Sequence, residues 1–228
     1  MNLIDSIQPL ITQAEQDGLV QRTFRRLDPE RQRAVINAIL AEAAISGPDQ
    51  IRIQAVAERA GVAVGSLYQY FSDREHLLDF AIWLCSQAWE DLFNQYIPLL
   101  AAMPLRDGLR AYIQGGLELN EIERGVVQFF GRAAYQGGQG RAQTAVDAMA
   151  QIMLVVTRQL LEQARLRGEI RQNLDLEATT RSVNAFLIAL GDGQLFPWLT
   201  RYYQLTDAAV PFERVLEAAI DLIVRGLE

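Results

Sequence analysis

Between Val64 and Arg74 the sequence VGSLYQYFSDR gathers an amide, two hydroxyls, two phenols and a guanidinium into eleven residues. Groups of this kind give and accept hydrogen bonds without forming a reaction centre. The rest of the chain adds no Ser/His/Asp arrangement and no paired carboxylates. With one histidine (His76) and one cysteine (Cys85), it lacks the donors of a conventional zinc site. The GGQG run at 137–140 has neither the preceding strand nor the Gly-Lys-Ser/Thr ending of a phosphate loop, and reads as an interhelical loop. No enzymatic activity, metal or cofactor is therefore expected, and the chemistry on offer is recognition.

The elements that must position these groups are helices. With Ile53 as the first of twenty positions, small Ala57 falls fifth and Gly61 ninth. Val56, Ala60, Val62, Leu67 and Tyr70 fall where two short helices face each other and a preceding one. This is a helix-turn-helix pattern, which helix pairs in unrelated proteins can also carry. Apolar residues recur at helical spacing almost throughout, so an all-α fold is expected. Asp28 and Pro29 open a helix to about residue 45, ended by Gly47-Pro48. Short helices follow near 53–60 and 64–70. Ser72-Asp-Arg-Glu75 reads as a capping box opening a long helix towards Tyr96, stopped by Pro98. Further helices are expected over 105–122, 125–135, 141–167, 176–190 and 212–226. The organisation predicted is an N-terminal extension (1–27), a helix-turn-helix domain (28–75) and a larger helical domain (76–228).

The net charge of −7 argues against a polyanionic partner for the chain as a whole. The region from Val20 to Glu75 is different, with eight arginines against seven carboxylates. Arg22, Arg25, Arg26, Arg31 and Arg33 form its one dense cluster, either a solvated face or an arm on phosphate. A lone cysteine excludes an intrachain disulfide, and no uncharged apolar run approaches the ~20 residues of a membrane span. A soluble cytoplasmic protein with no membrane partner is expected.

The order of helices and the residues Ala60-Gly61-Val62, Gly65, Leu67-Tyr68, Tyr70-Phe71 and Arg74-Glu75 with Leu77 resemble the DNA-binding domain of the TetR (tetracycline-repressor-like) family of bacterial regulators. The resemblance covers about residues 29–85. It implies a third helix in the major groove of a near-palindromic double-stranded operator. The contact set would be Arg52, Gln54, Val64, Gly65, Ser66, Tyr68, Gln69, Tyr70 and Arg74. Gln69 would read adenine through its amide, Val64 would meet a thymine methyl, and Gly65 would leave room for close approach. Tyr68 resembles the family tyrosine that bonds phosphate, and Arg74 at a helix N-terminus suits a phosphate as well. Tyr68, Tyr70 and Phe71 could also be core aromatics. Arg52 and Ala63 stand where the family usually has a hydroxyl N-cap, so each helix loses on the order of 1 kcal/mol.

The resemblance further implies a homodimeric, ligand-responsive repressor whose larger domain holds a small-molecule effector. Trp83, Trp89, Phe93, Tyr112, Phe129, Phe130, Met149, Met153 and Phe186 are the candidate lining of a mostly apolar pocket. Leu187, Leu190, Val215, Ala219 and Leu222 suit a four-helix dimer interface. The same stripe would equally suit the chain's own core, and periodicity does not separate the two.

Overall fold

The computed structural model describes residues 7–47, 50–119, 121–136 and 140–228. All regular structure among them is helical, as expected. Two expectations, the Pro48 stop and the loop at 137–139, lie outside the described residues. The helices group into two compact units. One holds the described residues up to Leu92 and those from 121 to 149; the other holds 93–119 and 150–228. This grouping does not follow the expected division after residue 75.

The first unit begins with α1 (Ile7–Gln16) and α2 (Arg22–Arg25), which the sequence showed only as an amphipathic extension. α1 packs on α2 and on α3 (Pro29–Ser46), and α2 packs on the helix at 64–71; Ile11, Ala14, Val20 and Phe24 are buried. Asp28 caps α3, accepting the Arg31 N–H at 3.0 Å with Pro29 in the first turn. Val35, Ile36, Ile39, Leu40 and Ala43 are buried along α3, the face its periodicity marked. α4 (Ile53–Ala60) and α5 (Val64–Phe71) follow, joined at Gly61. α6 (Arg74–Ala102) contributes residues to both units. α8 (Glu121–Gln136) lies against α3, where Arg132 Nε donates to the Ala44 carbonyl at 2.9 Å.

The second unit contains α7 (Leu105–Leu117), most of α9 (Arg141–Leu166), α10 (Leu176–Leu195), α11 (Pro197–Tyr203) and α12 (Phe212–Leu227). Its core gathers Leu105, Leu109, Leu160, Leu187, Leu216 and Ile220. Arg106 pairs with Asp221, and Arg110 reaches Glu217 at 2.5 Å, tying α7 to α12 along the rim of that core. Leu205 packs so tightly on α10 that a Cβ at Gly193 would stand 2.0 Å from it. No helix among the described residues is long and apolar enough to cross a membrane.

Three expectations about the long helices are corrected. Pro98 does not stop α6, which runs on to Ala102. Pro98 and Asn94 are both exposed, so water can take the Asn94 carbonyl that loses its helical donor. α10 runs to Leu195, through Gly191 and Gly193, and α11 occupies part of an expected connection. The cap of α6 is Asp73 in place of Ser72. Asp73 Oδ1 accepts the His76 N–H at 2.9 Å and lies 2.8 Å from His76 Nδ1. These contacts, the backbone one foremost, hold the Asp73 carboxyl below its ordinary range. Ser72 instead takes a left-handed φ of 54° at the end of α5. Asp73→Ala is expected to lower the melting midpoint by a few degrees, while Ser72→Ala removes no cap. Thermal melts of the two variants side by side test this assignment.

Candidate nucleic-acid interface

The geometry of the α4–α5 pair follows from its junction. Gly61 sits at φ 66°, ψ 31°, and the Val62 N–H reaches back to the Ala57 carbonyl at 3.0 Å. This six-to-one bond closes α4 in a Schellman turn. A Cβ at Gly61 would meet nothing within 4 Å, so conformation and not space demands the glycine. Ala57 and Val56 are buried beneath the junction. Arg52 and Ala63 make no side-chain cap bond to the helices they precede, as their side-chain types imply.

α5 divides into two faces. Leu67, Tyr70 and Phe71 are buried. Gly65, Tyr68 and Gln69 are exposed, and Val64 and Ser66 are half-buried at the N-terminal end. Tyr68 keeps 47% of its surface, which removes the reading of it as a core aromatic. A Cβ at Gly65 would touch nothing in the chain within 4 Å, so nothing inside the fold requires a glycine there. Tyr70 does not join this face. It is 8% exposed, with its ring 5.6 Å from that of Phe24. Its place two residues after Tyr68 turns it inward, and α2, which the sequence did not reveal as a helix, covers it.

Gln54 on α4 and Arg52 just before it are exposed. Arg52 is partly committed: its Nε donates to Glu42 Oε1 at 2.9 Å. Glu42 is wholly buried on α3, also accepts from Ser46 Oγ at 2.9 Å, and has Arg59 Nε 3.7 Å from its other oxygen. Burial opposes ionisation of this carboxyl, but the bonds from Arg52 and Ser46 and the charge of Arg52 outweigh it. Its pKa is lowered. One carboxylate thus clasps both ends of α4 to α3, a role that nothing in the spacing of Glu42 announced. Arg74 opens α6, exposed, 3.4 Å from Glu75.

Residues 35–80, which hold this arrangement, match the family model for bacterial regulatory proteins of the tetR family. The HTH-type transcriptional repressor KstR of Mycolicibacterium smegmatis (strain ATCC 700084 / mc(2)155) is 47% identical over 53 residues, 23% of this chain and 26% of its own length. Residues 35–80 are thus a tetR-family N-terminal segment. The matched segment spans about a quarter of the curated relatives it resembles. The likeness in fold extends further. A TetR family transcriptional regulator from Chloroflexus aurantiacus J-10-FL superposes with a TM-score of 0.61 at 23% identity, over 91% of this chain and 98% of that one. The regulator FadR from Bacillus subtilis, solved in complex with stearoyl-CoA, gives 0.59 at 18% identity, over 86% and 99%.

The remaining candidate residues fall in both units. Trp83, Trp89, Phe129, Phe130 and Met149 belong to the first unit, where the Trp89 and Phe130 rings lie 6.1 Å apart and both phenylalanines are fully buried. Phe93, Tyr112, Met153 and Phe186 belong to the second. Phe93 and Tyr112 meet edge to face at 6.2 Å. Burial, then the nearby Asp192 charge, raises the Tyr112 phenol, so it stays a neutral donor. Phe186 is 38% exposed and does not line an interior. Of the two readings of the stripe on α10 and α12, burial within its own unit accounts for most of it. Leu187, Leu190 and Ala219 are buried in the core of their own unit, and Val215 packs against it; only Leu222, 69% exposed, faces outward. Burial also raises the Cys85 thiol, leaving it a core side chain. Among the described residues no group of three or more His, Cys, Asp or Glu is placed to hold a metal.

Proposed function

We propose that this chain is a DNA-binding transcriptional repressor that works as a homodimer in the cytoplasm and leaves its operator when a small, largely apolar effector binds. The outward face of α5 carries this reading: Val64, Gly65, Ser66, Tyr68 and Gln69 stand clear of a core closed by Leu67, Tyr70 and Phe71. Such a face can enter a major groove, with Gln69 reading an adenine edge and Val64 a thymine methyl. Arg52, Gln54, Tyr68 and Arg74 supply the phosphate contacts that set its register.

One α5 reads a few base pairs, so useful specificity needs two copies on a near-palindromic site. With Leu187, Leu190 and Ala219 occupied in the core, the dimer face is the opposite side of α10 and α12. Ala178, Ser182, Ala185 and Phe186 on α10, with Ala218 and Leu222 on α12, are exposed there. The likeness to a regulator solved with stearoyl-CoA supports an effector with apolar character. Phe93, Tyr112 and Met153 would serve it in the second unit. α6 is continuous from Arg74 to Ala102. An effector that biases its position changes the spacing of the two α5 helices, and lowers DNA affinity by its differential binding and no more.

The test is selection of a bound duplex from a random-sequence pool, followed by gel-shift titration. Gln69→Ala is expected to change which sequence is preferred, whereas Arg74→Ala weakens binding to every duplex. Failure to select or retard any duplex at low salt would rule out DNA binding.

A further inference from the structure

The segment from Gln21 to Arg26 lies outside the matched residues 35–80, yet it closes the end of α5. The last carbonyls of a helix lack internal donors. Here the Gln69 carbonyl accepts from Thr23 Oγ1, and the Tyr70 carbonyl accepts the Gln21 N–H at 2.7 Å. Gln21 Nε2 also donates to Ser72 Oγ at 2.5 Å, holding the left-handed residue that ends the helix. Phe24, fully buried, places its ring 5.6, 5.4 and 6.0 Å from those of Tyr70, Phe71 and Phe80. α2 is thus seated on the inner and C-terminal sides of the helix whose other face is free.

The same segment carries charge that the fold leaves unmatched. Arg25 is paired with Glu15, Arg31 with Asp28, and Arg52 and Arg59 with Glu42. Arg22 and Arg26 are exposed, one helical turn apart, and neither has a carboxylate partner among the described residues. In a chain of net charge −7, positive charge kept unpaired beside α5 is charge available to a polyanion.

Resting on the DNA-binding reading above, we propose that Gln21–Arg26 is part of the DNA-binding surface. Gln21, Thr23 and Phe24 hold the C-terminal end of α5, and Arg22 and Arg26 bind duplex phosphates beyond those reached by the helix-turn-helix. Thr23 is a positioning residue; the two arginines are ligands. Each phosphate neutralised releases counterions and adds about one to the log–log slope of affinity against salt.

The full chain is titrated against the duplex it selects from a random pool and against an unrelated duplex of equal length, across a salt series. The double variant R22A/R26A is expected to keep the wild-type melting midpoint, to weaken both duplexes in the same proportion, and to lower the salt slope by about two. Arg214→Ala, which removes an exposed charge from α12, serves as the control and leaves the slope unchanged. Thr23→Val is expected to keep the slope but to narrow the preference for the selected duplex, and Thr23→Ser to restore it. A wild-type slope for R22A/R26A, with Arg74→Ala still lowering it, overturns the proposal and leaves the DNA-binding reading standing. Absence of salt-sensitive binding by the unaltered chain to either duplex overturns both.

Discussion

Phe24→Ala is expected to cost the first unit about 3–5 kcal/mol, the range for removing a fully buried aromatic side chain. Phe24 is wholly buried and lies within 6.0 Å of three rings, Tyr70, Phe71 and Phe80. Its loss opens a cavity under α5 that the flanking helices cannot close without moving the helix itself. Trp83, stacked 6.0 Å from Phe80, lies in the same unit and gives a fluorescence signal for its unfolding. A denaturant melt followed at that signal should show a lower midpoint with little change in slope. Phe24→Leu, which keeps most of the volume, should recover much of the loss. A melt of Phe24→Ala within about 0.5 kcal/mol of wild type would show that α2 does not belong to this core.

The second large effect is acid lability through Glu42. Its folded pKa lies below the ordinary value of 4.5, so the group stabilises the fold above that value. The contribution is lost as pH falls through 4.5 towards the lowered folded value, because the unfolded chain takes up the proton first. Glu42→Gln cannot ionise. It forfeits the charge-assisted bond from Arg52 and should be less stable than wild type at pH 7 by about 2 kcal/mol. The difference should shrink steadily below pH 4.5, and melts of both proteins from pH 7 to pH 3 measure it. The other lowered carboxyls, Asp73, Glu169, Glu177 and Asp221, titrate in both proteins and cancel in the comparison. A gap that stays constant through this range would mean that the carboxylate is not clasped as described.

The helix-turn-helix was legible because its constraints are local. Gly61 at a left-handed turn, Ala57 beneath it and the inward Leu67 and Phe71 are each set by steric needs within twenty residues. α2 was not legible, since four residues are too few to show a period, and Phe24 reveals its importance only through partners some fifty residues away. Tyr70 was left open between core and contact for the same reason: the helix that covers it went unseen. The frame of the α6 cap slipped by one residue because Ser72 and Asp73 are both good cap types, and only the backbone chose between them. Leu187, Leu190 and Ala219 illustrate a different limit. A stripe shows that a face is buried, not whether its own chain or a second copy buries it. Glu42 gave no signal at all, since a carboxylate on a helix is ordinary until its burial is known.

The clasp at Glu42 also has a mechanical side. With both ends of α4 tied to one side chain of α3, the two helices make a splint rather than a pair of hinged rods. α5 is suspended from it at the Gly61 turn and moored at its far end by Gln21 and Thr23. A tilt of α5 therefore needs slack at both attachments together, and stiffness at either is enough to hold its aim.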